Sequence, residues 1–316
     1  MSRTLFSRGA RGELVRRIQS QLALAPEQID GKYGKITADA VSGFQKPNGL
    51  AVNGEVDEDT WNKLMKIPVP ALKERALQLT ADFEGHGFSL AQGNFDGAGI
   101  TWGIIGFTLA GGELGRLIKQ LEAENPGVVQ DAFGVSTGQL FKILDASRPE
   151  QIAFADNISL GSTKAVLAEP WLSAFRKLGE QPVVQQLQLS IVERDYFNPA
   201  LKTAGQFALE TELGIALAFD IHVQNGGIKQ AVAGQIRETM AAHPSDREQD
   251  LRVAIANAVA DNAANVKFRE DVRQRKLAVA TGSGQVHGAN YVLRNWGLAE
   301  LPFAVESLAA TAPILR

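Results

Sequence analysis

Two carboxylates and a hydroxyl in this 316-residue chain have the types and spacing for hydrolytic chemistry. Leu72, Ala76, Leu79 and Phe83 recur at helical spacing, and the apolar stripe they make runs up to Glu84, after which Gly85 and Gly87 end the helix. A carboxylic acid at the rim of an apolar helix end is where loss of water favours the protonated form, which suits a general acid. Further on, Gly93-Asn94-Phe95-Asp96-Gly97 carries an Asp-Gly hairpin-turn signal, and the apolar, glycine-rich run that follows as far as Phe107 reads as a strand entering the core. An Asp on that hairpin would face the Glu across a cleft. Such a pair can cleave a glycosidic bond: one carboxyl protonates the leaving oxygen and the other activates water or attacks the sugar. Taken singly, each has a plainer reading, a solvated glutamate and an aspartate that serves its own turn.

The elements that would position these groups are mainly α. Periodicity predicts helices over 72–83, 113–124, 137–144, 182–192, 205–223, 228–242 and 246–275, with 93–107 as the one β region. Residues 1–66 read differently. They are dense in turns and contain an internal echo, Asp30-Gly31-Lys32-Tyr33-Gly34-Lys35-Ile36-Thr37 against Asn53-Gly54-Glu55-Val56-Asp57-Glu58-Asp59-Thr60-Trp61. In each copy a turn precedes a Thr placed to cap a new helix. Leu14, Ile18 and Leu22, then Ala40, Val41 and Phe44, then Trp61 and Leu64 mark three short amphipathic helices, enough for a small bundle. Residues 67–71, with Pro68 and Pro70, form an extended linker, and Pro70 suits the first turn of the next helix. The division expected is thus 1–66, a 67–71 linker, and 72–316.

The first segment carries Gly12, Val15, Ile18, Gln19 and Leu22, Asp30-Gly31, Tyr33-Gly34 and Thr37. Ala40-Val41, Phe44-Gln45, Gly49-Leu50, Asn53-Gly54, Val56 and Thr60-Trp61 with Leu64 follow. In this pattern it closely resembles the peptidoglycan-binding type 1 domain, which implies bacterial peptidoglycan as the partner. The hairpin, Asp96-Gly-x-Gly-x-Thr101-x-Gly103-Ile104-Ile105-Gly106-Phe107, resembles the active-site hairpin of the family 46 chitosanases, glycosidases of the lysozyme superfamily. That likeness implies an α-rich lysozyme-like domain with one small β-hairpin region and an inverting acid/base mechanism. Asp96 would be the general base, Thr101 would position the attacking water, and Glu84 would be the general acid.

Glu193-Arg194-Asp195-Tyr196-Phe197-Asn198-Pro199-Ala200 resembles a further segment of the same family. The resemblance also implies a structural ion network of Asp220, Arg269 and Arg275, with Arg252 near a third family arginine. Glu113 stands where the family has a substrate-binding Asp, and Trp102 and Asn225 complete the candidate sugar contacts. Ala98 replaces a family Arg. That loss, together with a wall-binding module, favours a muramidase-type cut of peptidoglycan over hydrolysis of a glucosamine polymer, the alternative. A non-catalytic wall-binding or tail protein with a degenerate glycosidase fold is the other alternative.

Composition narrows the remaining classes. Hydrophobic residues make up 45% and charged residues 21%, net charge is −3, and basic residues are dispersed, so neither nucleic acid nor an anionic membrane surface is an expected partner. There is no cysteine, hence no thiol nucleophile. His86, His222, His243 and His287 show no zinc spacing, and no metal or other cofactor is expected. His86 lies beside Glu84, where it could tune the carboxyl or be a solvated loop residue. No apolar run of membrane-spanning length and no secretory segment is visible, so the expectation is a monomer made in the bacterial cytoplasm. It would reach the wall by holin-type release, as a phage endolysin does, or by injection as an effector.

Overall fold

The computed structural model describes residues 2–85 and 87–303; His86 and the role considered for it lie outside the described residues. The backbone is mainly helical with small antiparallel hairpins. The described residues divide into two compact units: those up to Phe83 together with Glu193–Phe303, and Glu84–Val192. The units thus cut the chain differently from the sequence modules, since the N-terminal segment shares a unit with the C-terminal helices.

In the first unit, strand Thr4–Phe6 pairs with Val56–Asp57, and helices Glu13–Gln21, Lys35–Gln45 and Glu58–Met65 pack over Val15, Ile18, Val41 and Trp61, all fully buried. The echo in sequence is an echo in structure, carried by two buried glutamines. Gln19 Nε2 donates to Asp30 Oδ1 (3.0 Å), Lys32 O and Thr37 Oγ1, and its Oε1 accepts from Gly31 N. Gln45 repeats the pattern on Asn53 Oδ1 (3.1 Å), Glu55 O and Thr60 Oγ1, with Gly54 N donating back. The two threonines therefore do not cap helices as expected. Both lie inside their helices, where their hydroxyls accept from a glutamine; the second cap is Asp57, which accepts from Thr60 N at 2.8 Å.

This segment is joined to the rest of its unit by specific bonds. Ser7 N donates to Asn295 O, Trp296 Nε1 to Arg11 O and Leu14 N to Gln78 Oε1. Arg3 and Arg75 converge on the buried Glu212, and both also donate to Gly297 O. The linker is pinned as well, by Trp61 Nε1 on Ile67 O and Pro68 O and by Arg75 Nε on Pro70 O.

Helix Leu72–Glu84 has the expected apolar face. Of the long helices expected downstream, 228–242 forms as Gln230–Ala242 and the other two are interrupted. The 205–223 segment becomes Asn198–Gln206 and Glu212–Asn225, the second begun by Thr211, whose hydroxyl accepts from Gly214 N. The 246–275 segment becomes Glu248–Asp261 and Arg269–Thr281, because Asn265 accepts from Lys267 N and starts a short turn between them. Glu193–Phe197 is a π-helical turn. A hairpin of Ser283–Val286 and Ala289–Val292 was not expected. Its two turn residues, His287 and Gly288, both have positive φ, the geometry of a tight hairpin.

Asp220, 1% exposed, anchors the helices. It accepts from Arg275 Nη2 (2.7 Å), Lys276 Nζ (2.5 Å) and Thr80 Oγ1 (3.0 Å). Asp220 and Arg275 pair, but Arg269 does not join them: its Nε is buried without a hydrogen-bond partner among the described residues, and Lys276 is the second cation. Arg252, fully buried, holds Glu248, Glu300, Thr211 Oγ1 and Ala280 O. Burial alone would raise the Asp220 pKa, yet Arg275 and Lys276 outweigh it and hold the carboxyl below the usual carboxylate range. A depressed folded-state pKa contributes stability that is complete above the unfolded value of 3.8 and is lost as pH falls below it. Asp220→Asn should therefore cost about 3–5 kcal/mol at pH 7 and progressively less toward pH 2. Thermal melts at both ends of that range check it, and a deficit independent of pH would contradict it.

The second unit begins at Glu84 and contains the three-stranded sheet Ala91–Gln92, Thr101–Trp102 and Phe107–Thr108, in that order, with the hairpin Ser159–Leu160/Val166–Leu167. Helices Glu113–Glu124, Thr137–Leu144 and Pro182–Val192 have the expected bounds, while Val128–Phe133, Arg148–Asn157 and Trp171–Gly179 are additional.

Candidate active site

Glu84 is the last residue of its helix and is partly buried. The loop after the first short strand is built around Asn94, whose side chain is 8% exposed. Its Oδ1 accepts from Gly99 N (2.8 Å), its Nδ2 donates to Asp156 Oδ1 (2.7 Å), and its backbone N donates to Ser159 Oγ (2.9 Å). Gly93 N donates to Ala165 O and Phe95 N to Gly93 O, so both ends of the turn are held. Asp96 lies at the exposed tip. One of its oxygens, Oδ1, accepts from Ala98 N at 2.9 Å across Gly97, whose φ of +84° explains the glycine. The turn contact and the catalytic reading are therefore compatible: the bond orients the carboxylate while leaving it in solvent.

Thr101 lies in the central strand, opposite Gln92 and Thr108. It is 4% exposed, and its Oγ1 is buried with no hydrogen-bond partner among the described residues. Buried hydroxyls are nearly always bonded, so this one marks a place where the fold leaves a polar group for something else. Trp102 corrects the expectation of a sugar contact. Successive strand residues point to opposite faces, and Trp102 is fully buried, its Nε1 bonded to Phe175 O (3.0 Å) and its ring 5.6 Å from that of Phe175. It is a core residue that secures the strand bearing Thr101.

Glu113 opens its helix. Its Oε2 accepts from Thr108 Oγ1 (2.8 Å), which ties it to the strand beside Thr101, while its side chain stays 31% exposed. Asn225, at the end of Glu212–Asn225, has a buried Oδ1 without a partner among the described residues, and belongs to the first unit.

Two positioning residues escaped the sequence reading. Asn94 is one; its Gly-Asn-Phe-Asp-Gly setting was a visible signal for a side chain that braces its own turn. Gln188 is the other. Fully buried, it accepts from Ile104 N (2.9 Å), donates to Phe88 O (3.0 Å), and lies where a side chain on Gly103 would clash. Nothing in the apolar pattern of 182–192 sets it apart. Among the described residues no cluster of His, Asp and Glu could hold a metal.

Comparison with known proteins adds the following. Residues 11–64 match the model of the putative peptidoglycan binding domain, and residues 152–252 match glycosyl hydrolase family 46. The second match begins beyond Glu84 and the Asp96–Thr101 hairpin and covers the Glu193 turn, Asp220 and Arg252. No curated protein matches the chain. Solved structures similar to it include a Gynuella sunshinyii GH46 chitosanase in complex with chitotetraose, 20% identical over 72% of this chain and 99% of that one, with a TM-score of 0.48. A native chitosanase from Bacillus subtilis MY002 is 21% identical over 67% and 86%, with a TM-score of 0.49. By its two segment matches the chain joins a peptidoglycan-binding domain to a glycosyl hydrolase family 46 domain, and it is a glycoside hydrolase.

Proposed function

We propose that this glycoside hydrolase cuts the glycan strands of bacterial peptidoglycan by an inverting mechanism. Glu84 protonates the leaving oxygen, Asp96 acts as the base that activates water, and Thr101 holds that water. The observation that carries the substrate is the presence of a peptidoglycan-binding domain in the same chain as the family 46 domain. What supports the mechanism is an exposed, turn-braced carboxylate on the loop that leads into a strand whose buried Thr101 hydroxyl has no partner among the described residues. An inverting step needs a water between base and sugar, and a threonine with one free hydroxyl can orient it. The division of labour follows the sequence modules, with 1–66 binding, 67–71 linking and 72–316 catalysing. Delivery to the wall by lysis-pore release or injection fits the substrate.

A second reading, hydrolysis of a glucosamine polymer, is favoured by the family 46 segment taken alone. Purified walls and chitosan, offered separately with reducing-end release as the readout, distinguish them; release from chitosan alone would sink the peptidoglycan reading.

Thr101→Val gives a sharper test of the water-positioning role. Removing an unsatisfied buried hydroxyl should leave stability unchanged or raise it by about 1 kcal/mol, while kcat falls roughly ten- to a hundredfold through loss of orientation. A variant with parental kcat would remove Thr101 from the mechanism.

A further inference from the structure

We infer that Phe95 is a sugar-stacking platform beside Asp96, and that it selects N-acetylated amino sugars over free glucosamine. This rests on the glycosidase site proposed above and deepens it by naming the side chain that reads the N-acetyl groups of the substrate.

Phe95 is 48% exposed, next in sequence to the candidate base, on a loop braced at both ends. Asn94 occupies the interior of the turn, and Phe95 does not follow it inward. The fold gains little from an aromatic at that position, since its backbone serves the turn and a polar residue would do so equally well.

The hairpin bonded to this loop also exposes apolar side chains. The hairpin that receives Gly93 N at Ala165 O presents Leu160 and Val166 as a cross-strand pair, 50% and 53% exposed. Ala98, also on the loop, is uncharged. Lys164 is paired with Asp156 at 2.6 Å, which leaves the Asp96 carboxylate as a charge presented by the loop itself.

A pyranose ring offers a face of C–H groups that covers an aromatic ring. The acetamido methyl of an N-acetylated sugar, and the lactyl group of a muramyl residue, add apolar surface that such a rim can bury. A polymer of free glucosamine carries an ammonium on each ring, which gains nothing from an apolar rim and loses hydration there.

Binding is measured separately from turnover, by calorimetry with the N-acetylglucosamine tetramer and the glucosamine tetramer on the full chain carrying Glu84→Gln. The expected result is preference for the N-acetylated tetramer, weakened about tenfold or more by Phe95→Ala and retained by Phe95→Trp, with melting temperatures unchanged. Equal affinity with and without the Phe95 ring would overturn the platform. A preference for the glucosamine tetramer would overturn the selectivity. Intact binding in a parent that releases no reducing ends would count against the hydrolase mechanism and leave this inference standing.

Discussion

Glu84→Gln should lower kcat on purified cell walls by about a hundred- to ten-thousandfold while binding to the same walls stays within twofold of the parent. The substitution keeps size and hydrogen-bonding capacity but removes the transferable proton, so the loss falls on protonation of the leaving oxygen. Asp96→Asn should have an effect of similar size for the complementary reason. The amide can still accept from Ala98 N, as Asp96 Oδ1 does at 2.9 Å, but cannot take a proton from water. Binding is insulated from both changes because the peptidoglycan-binding match lies at 11–64. Equal lysis by variant and parent would remove the acid assignment. Absence of lysis in both, with binding intact, would leave the chain as a wall-binding protein with a degenerate glycosidase fold.

The second large effect concerns stability. The peptidoglycan-binding segment is commonly pictured as a detachable anchor, but here it shares a compact unit and a buried charge cluster with the C-terminal region. Glu212 is 4% exposed and faces Arg75, also 4% exposed, at 2.9 Å, with Arg3 on its other oxygen. Burial would lower the Arg75 pKa, and Glu212 opposes that. Glu212→Ala leaves two guanidiniums facing each other at Gly297 O without an anion, and should cost about 3–5 kcal/mol. Deleting residues 1–66 should cost more. It uncovers Trp296, whose Nε1 bonds Arg11 O, removes the backbone partner of Asn295, and strips Gln78 of Leu14 N. The truncated chain is predicted to lack a cooperative thermal transition and to lose wall lysis through unfolding. A truncated protein melting within a few degrees of the parent would show that the segment is an appendage after all.

Local patterns that depend on neighbours in sequence were readable in advance. The stripe ending at Glu84, the Asp-Gly turn at Asp96 and helices 113–124, 137–144 and 182–192 belong to that class, because periodicity and turn chemistry act over a few residues. The twin turns of the N-terminal segment were also visible. Their cause was not, since Gln19 and Gln45 act on residues eight to eighteen positions away. Interruptions at 207–211 and 262–268 were missed because continuous apolar spacing hides a Thr or Asn that bonds its own backbone. Trp102 and Arg269 fail for a tertiary reason. An aromatic beside a catalytic-looking Thr reads equally as platform or core, and only strand alternation against Phe175 decides it. Arg269 lies nearly two helical turns before Arg275, and the second cation on Asp220 is Lys276, the residue next to Arg275.

The proposed cut lies in the glycan strand of the wall. Mass spectrometry of the fragments released from purified peptidoglycan, reduced before analysis to mark new chain ends, tests it most directly. Disaccharide-peptide fragments ending in reduced N-acetylmuramic acid should be released by the parent and not by Glu84→Gln. Fragments from cleaved amide or peptide bonds with intact glycan, or new ends that form equally with Glu84→Gln, would contradict it.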